Sequence, residues 1–585
     1  MCYFDSFKFK SSNLKNFGCL IFFLLTYCFN NAHSILFNHK ELYLSSHNFK
    51  ISSITQRRKF QFIITNTSGA PDGYTRPMLV INNQYPAPLI ECNEGDTLEI
   101  SLKNTLDTDV SIHWHGIWQT GTPWMDGVYH NVQCPQRALL LMSLTSQINS
   151  EHSAHARNLA IDGISGPLII HSQKDPLVKG RDFDNDYILF ITVSTVILDG
   201  MLSPSGYFGT QAAPSANSAL INGIGRFNCT FATAGSQCRT PIKPLELVVA
   251  PNQKTRLRLI QAGSHAMFWF SADQHLLNVV EADSTGVSGP TNLRRLQFHN
   301  GQRKVKSNGS SFYLRAAMDT DCWAWLAPGI PGPDATALAI VRVTSKPKPI
   351  NPQLPSTRDW NDTVGGKCID LNINTLRPLL KQNACNNVLG TMFFNTSLGT
   401  IIRPNPQNAS KLDSLTRFFV DNTTWTTFRY RPILQDLLKG GKGFINNSEV
   451  TALTLDKVGC YDIVINNLDA AIDHPLHLHG VDSHLVAQGN GTIGPRNLSR
   501  VSFQINNPLR RDTYVVGGGN YLIVRVEAHN PGVWILHCHI GWHLAAGFAG
   551  MIVMQPSEIA KMKLPAANQA LCAGSNPTNI NTTEP

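Results

Sequence analysis

The segment His537-Cys538-His539-Ile540-Gly541-Trp542-His543 constrains this chain more than any other stretch. Thiolate and imidazole donors together select copper and suit a redox centre. On a strand, successive side chains face opposite ways, so Cys538 points to one side while His537 and His539 point together to the other. One short peptide can then serve two metal centres and join them covalently. A buried strand with incidental histidines is the plain alternative, and the rest of the chain argues against it. His113-Trp114-His115-Gly116 puts two rings on one face of a strand. His474-Pro475-Leu476-His477-Leu478-His479-Gly480 repeats that spacing and adds a histidine three residues upstream. His152-Ser153-Ala154-His155 precedes Asp162-Gly163. A single His-x-His pair is more often structural than ligating. Four groups, one of them carrying a cysteine, point to metal.

With 585 residues the chain is too long for one hydrophobic core and suits three or four domains. A low charged fraction of 15%, with 43 Gly and 33 Pro, fits short strands separated by many turns. Polar–apolar alternation runs through Gly95–Leu102 before His113, through Lys254–Ile260 before His265, and through Cys460–Asn467 before His474. This weak internal repeat predicts three related domains, and many short strands imply sandwiches or barrels. The boundaries fall at about 60–175, 176–345 and 346–572, with a proline-rich linker at Ser345–Pro352 and a polar tail over 573–585. The second domain holds His265 and His275 but no His-x-His, and reads as a spacer and substrate-facing wall.

The net charge of +9, without a clustered basic stripe, gives no reason to expect nucleic acid as a partner. Lys8, Lys10 and Lys15 precede an apolar run from Phe17 to Phe29, followed by Ala32 and Ser34, the layout of a secretory signal over residues 1–34. The run is shorter than the about 20 residues a membrane span needs. No apolar stretch follows Met554, so no C-terminal membrane anchor is expected. Eleven Asn-x-Ser/Thr sites, among them Asn66, Asn228, Asn395, Asn422, Asn490 and Asn581, fit a secreted glycoprotein. Of 13 cysteines, three lie in or before the leader; setting these and Cys538 aside leaves nine, most of which should pair in an oxidising compartment. Cys229 and Cys238 are close enough for a local bridge. At least one thiol, with Cys92 and Cys460 as candidates, is expected to be free and buried.

On these histidine groups the chain resembles the multicopper oxidases, most closely the laccase-like enzymes of fungi, from about Pro71 to Cys572. The resemblance extends to Pro71-Asp72-Gly73, Asn93-Glu94-Gly95-Asp96-Thr97, Trp124-Met125-Asp126-Gly127, Gln133-Cys134-Pro135 and Asn507-Pro508-Leu509-Arg510-Arg511-Asp512. It implies an all-β fold of three consecutive cupredoxin-like Greek-key β-sandwich domains, a monomer, and four copper ions. A type 1 copper would be held by His474, Cys538 and His543, with Phe548, which cannot coordinate, in the axial position. The leading histidines His113 and His477 would hold a type 2 copper. A type 3 pair would take His115, His155, His479, His537, His539 and one further residue, for which His152 is the candidate. Asp126 and Asp162 match acids that deliver protons, and Cys134 would bridge to Cys572. The activity implied is one-electron oxidation of a small phenol-like reductant, relayed through Cys538 to four-electron reduction of O₂ to water. Ascorbate oxidase is the near alternative. A ferroxidase is disfavoured, because no anchor is expected and Gly541 stands where ferroxidases often carry glutamate.

The second motif departs from the family pattern. Residues 136–151 lack the Gly-Thr-aromatic strand expected ahead of it. Counting back from Asp162 aligns His155 with the second histidine but Ser153 with the first, leaving His152 one residue off and on the wrong face of a strand. A bulge that lets His152 reach the metal, a missing ligand, and a misread exon boundary across 136–152 each account for this. A missing ligand would make the product a copper-binding glycoprotein of impaired catalysis.

Overall fold

The computed structural model describes residues 39–569 except 47, 109, 129–139, 146–149, 155–158, 196–214, 241, 264–265, 299–305, 308–310, 324–325, 328–329, 331, 345–352, 363–370, 406–407, 426–431, 442–449 and 567. At 39, 40, 46, 140–145, 150–154, 306, 307, 403 and 409 it describes the backbone alone. The leader, Cys134, His155, His265, the linker, Cys572 and the tail therefore lie outside the described residues.

Three β-sandwiches follow one another, and each has one parallel strand pair in each of its two sheets. In the first, Arg57–Gly69 runs parallel to Thr97–Asn104, and Ile90–Asn93 to Ser165–His171. In the second, Asn185–Ser194 pairs with Thr255–Gln261, and Leu245–Val249 with Thr336–Val343. In the third, Val388–Asn405 pairs with Cys460–Asn467, and Ala452–Leu455 with Ala549–Met554. The three alternating stretches of the sequence thus occupy one equivalent position, the strand Thr97–Asn104, Thr255–Gln261 or Cys460–Asn467. In the first sandwich the alternation reads as expected, with Leu98, Ile100 and Leu102 fully buried beside Ile112, Trp114 and Leu168. In the other two the polar half is buried as well. There it is satisfied by ion pairs, Arg256 and Arg258 on Asp186 and Arg525 on Asp462, as buried charge requires.

A second hydrophobic cluster runs without a break from Tyr187 in the second sandwich to Met554 in the third. The first sandwich keeps its own core. Within 136–151, which lacks the Gly-Thr-aromatic strand, a strand forms at Leu140–Thr145, antiparallel to Thr97–Asn104. Its Leu-rich composition differs from the motif sought, and its partner strand, which is remote in sequence, supplies the pairing. The bridge Cys229–Cys238 forms. Cys460 is not a free thiol but is bonded to Cys385, 75 residues away, with Cα atoms 6.1 Å apart. Such a pairing depends on tertiary proximity that spacing alone does not reveal. Cys92 is fully buried in Ile90–Asn93.

Candidate metal centre

In the third sandwich, strand His474–Leu478 lies antiparallel to Gly532–Cys538, with Leu476 opposite Cys538 and His477 opposite His537. Directly opposed residues share a face. Cys538 and His474 therefore fall on one face, and His477 and His537 on the other. Cys538 Sγ stands 3.9 Å from His474 Nδ1 and 3.5 Å from His543 Nδ1, the latter carried on the short helix Gly541–Ala545. Asp469 Oδ2, 3.3 Å from His474 Nε2, holds that ring with Nδ1 toward the sulfur. The Phe548 ring closes the site edge-on to His474 at 4.7 Å and stacks on Phe418 at 5.1 Å. Burial pushes the Cys538 thiol well up, and only a backbone contact from Ile540 opposes it. No charge balances a thiolate here, so a cation bound by the sulfur and two imidazoles would.

On the other face six histidines converge. His113 flanks His479 with ring centroids 3.8 Å apart, and His115 stacks on His477 at 3.8 Å. His479 Nε2 meets His537 Nε2 at 3.2 Å, and His539 Nε2 meets His115 Nδ1 at 3.2 Å. Oxygen atoms behind the rings set their orientation. Asp126 O accepts from His113 Nδ1 at 2.8 Å, and Asp126 Oδ2 lies 2.8 Å from His479 Nδ1. Asp512 O lies 3.0 Å from His477 Nδ1, and Asp512 Oδ1 lies 3.2 Å from His115 Nε2. With Nδ1 engaged, His477 Nε2 is buried with no hydrogen-bond partner. The Trp124–Gly127 turn can deliver Asp126 only because Gly127, at φ +76°, has no Cβ; one would lie 1.8 Å from Ile112 O.

Burial lowers the imidazoles of His115 and His477 to about 4 and that of His539 to about 3, keeping them neutral with lone pairs available. Burial alone would raise the Asp512 carboxyl, but His115 and His477 hold it well below the usual range, so it stays ionised. Imidazole–metal bonds of about 2.0–2.1 Å at right to tetrahedral angles place two ligand nitrogens roughly 2.9–3.4 Å apart. The facing nitrogen pairs at 3.2 Å fit ions shared between rings. The donor set and its spacing therefore fit metal on both faces of the Cys538 strand.

Of the residues singled out from sequence, His113, His115, His477, His479, His537 and His539 come together on one face, with Asp126 behind them. His474, Cys538 and His543 come together on the other. Position 152 pairs with Trp114 and position 153 with His113 in the strand Ser150–Ala154. Asp162 is buried under the field of Arg76, and burial drives its carboxyl up to about 7. No described hydrogen bond or ion pair ties Asp162 to the histidines. Sequence reasoning missed Asp512, Asp469 and Phe418. Asp512 lay in a quoted motif, yet nothing in its neighbours told that it faces two rings.

Models described as multicopper oxidase match residues 63–175, 200–322 and 405–558. Laccase-1 of Cryptococcus neoformans var. grubii is 36% identical over 91% of this chain and 86% of its own length. Laccase-2 of the same organism is 35% identical over 92% and 91%. Among solved structures, the laccase of Botrytis aclada superposes with a TM-score of 0.78 at 26% identity, covering 92% of this chain and 95% of that one. Fet3p, titled a multicopper oxidase that functions in iron import, shares the fold with a TM-score of 0.72 at 23% identity over 88% and 94%. Three cupredoxin-like sandwiches, two facing sets of metal donors and relatives matched along nearly the whole length place this chain in the multicopper oxidase family, as a copper-dependent oxidoreductase of the fungal laccase type.

Proposed function

We propose that the chain is a secreted oxidase that takes single electrons from phenolic or related aromatic reductants and delivers four of them to O₂, releasing two waters. His474, Cys538 and His543 would hold the type 1 copper. His113 and His477 would hold the type 2 ion, and His115, His479, His537 and His539, with His155 from outside the described residues, would hold the type 3 pair. Bound copper at these sites supplies reversible one-electron redox chemistry at one face and multi-electron oxygen chemistry at the other. The observation that carries the reading is the strand itself: Cys538 is covalently flanked by His537 and His539, so an electron entering at one face has a continuous bonded route to the other. Phe548, fully buried beside His474, would keep water and a fourth ligand from the sulfur site. Asp126 and Asp512 hold the inward rings and are the acids nearest the oxygen-reducing face. Asp162 is retained as a further proton source, consistent with its raised carboxyl.

Metal analysis, the visible spectrum and oxygen uptake on purified protein test this together. Four coppers, a blue chromophore and four electrons taken per O₂ without released peroxide are expected with phenols. Preference for ascorbate over phenols would favour an ascorbate oxidase instead. Secretion is tested by glycopeptide mass spectrometry. Glycans are expected on the exposed Asn66, Asn422 and Asn490 but not on Asn395, whose amide donates to Asp421 and whose carbonyl accepts from Asn466, each at 2.7 Å.

A second reading rests on the strand Ser150–Ala154, where Ser153 rather than His152 stands opposite His113. A protein so built would keep the blue site and turn over O₂ poorly. One copper per chain and weak oxygen uptake would identify it.

A further inference from the structure

A cavity of about 300 Å³ lies where the three sandwiches meet, lined by residues of all three. Its wall includes Trp118, three residues after His115, and Asp482, three residues after His479. Ile170, Pro176 and Leu380 give it apolar surface. His484, only 8% exposed, lines it with a ring nitrogen, Nε2, that has no hydrogen-bond partner. Burial and the nearby guanidiniums of Arg510 and Arg525 lower its imidazole to about 4 against a backbone hydrogen bond to Arg525, so the ring is neutral and Nε2 is left as an acceptor. His529 repeats the arrangement, donating Nδ1–H to Glu527 O at 2.8 Å.

The acceptors in this cavity outnumber its available cations. Lys174 is taken by Glu94 at 3.0 Å, and Arg510 is turned to the carbonyls of Leu380 and Gln382 at 2.7 and 3.4 Å. Among the described residues Asp482 receives only the Trp118 indole N–H, at 3.3 Å. Burial, with the carboxylates of Asp512 and Asp283 nearby, pushes the Asp482 carboxyl up to about 7 against the field of Arg510, which makes no hydrogen bond to it. Glu527, on the same wall, makes no ion pair among the described residues. A bare metal ion is not the fit, because no cavity residue belongs to a described donor group tight enough for one ion. The volume equals roughly ten waters at about 30 Å³ each, within the lower range of small-molecule pockets.

We propose that this cavity is a second ligand site, independent of the proposed redox function, that binds a small organic cation. Its ammonium group is set against Asp482, Glu527 and the His484 acceptor, and its aromatic or aliphatic body lies on Trp118, Ile170 and Leu380. Isothermal titration of the copper-loaded protein with benzylammonium, and with neutral benzyl alcohol, tests it. Saturable one-to-one binding of the cation is expected, weakened by salt, at least tenfold weaker in Glu527→Gln and in His484→Gln, and unchanged by a saturating phenol. Glu527 is exposed, so its variant folds even if the His484 variant does not. The proposal is overturned by absence of binding at millimolar benzylammonium, by equal affinity for the alcohol, by undiminished affinity in Glu527→Gln, or by competition from the phenol.

Discussion

A buried thiol with nothing but a backbone N–H to favour its ionised form has no reason to become a thiolate unaided, and Cys538 is such a thiol. Its reactivity belongs to the pair of imidazoles 3.5 and 3.9 Å away and to the ion they would share. Binding there must release a proton. With copper bound there, a thioether in place of Phe548 would donate to it where a phenyl ring does not, and so would set how oxidising the site is. Phe548 is fully buried against Phe418 and His474. Phe548→Met is expected to lower the potential of the blue copper and to slow oxidation of the poorest reductants first. Redox titration of the blue absorption checks this, and an unchanged or higher potential would show that position 548 does not face the metal.

At the scale of strands, the parallel pair Asn185–Ser194 and Thr255–Gln261 is pinned by Asp186, which bonds both Arg256 and Arg258. Burial alone would raise the Asp186 carboxyl; the two guanidiniums outweigh it and bring it down to about 2. A depressed carboxyl stabilises the fold above its unfolded value near 4, and that share is lost as pH falls from about 4 through 2, roughly 2 kcal/mol in all. Asp186→Asn should cost about 3–5 kcal/mol near neutral pH, since it strands two buried cations, and should flatten the acid limb of stability. Denaturant melts from pH 2 to 7 measure both. The strand Ser150–Ala154 invites another substitution. If Ser153 occupies a ligand position opposite His113, Ser153→His should add copper and raise O₂ turnover at least about tenfold, while His152→Ala changes little. A copper count and rate unmoved by Ser153→His, with loss on His152→Ala, would instead support a bulge. These strands also show what sequence carried and what it withheld. Period-two spacing placed His537 and His539 on the face opposite Cys538, and alternation located Thr97–Asn104 and its two counterparts. Leu140–Thr145 escaped because its strand character comes from pairing with Thr97–Asn104. Asp512 and Asp469 escaped because an acid's partner ring is chosen by tertiary approach, which spacing does not encode.

Across the whole molecule the decisive fact is that one set of rings is drawn from two sandwiches with separate main cores, which meet in a small apolar cluster where Val128 and Trp124 pack with Val533, Ile535 and Met551. His113, His115 and Asp126 come from the first, and His477, His479, His537, His539 and Asp512 from the third. Beside the rings the join is polar, through Asp126 to His479 and Asn530 Nδ2 to Trp118 O, and the apolar seam next to it is small. The second and third sandwiches, by contrast, are fused through one apolar cluster. Ions bound between the first and third would act as a staple that exists only in the folded arrangement, stabilising it by about 4 kcal/mol per site at a thousandfold excess over the dissociation constant. Its remaining apolar contacts, with the second sandwich through Ile169 and Tyr85 and with the third through Val128, are small, so removing copper with a chelator should loosen the first sandwich before the fused pair rather than loosen the molecule evenly. Calorimetry is expected to show a single transition for the loaded protein and, after chelation, an early transition that limited proteolysis assigns to residues before about 175. The later transition, from the fused pair, should move far less. Equal displacement of both transitions, or none of either, would mean that the metal does not bridge the sandwiches and that the converging imidazoles are held by packing alone.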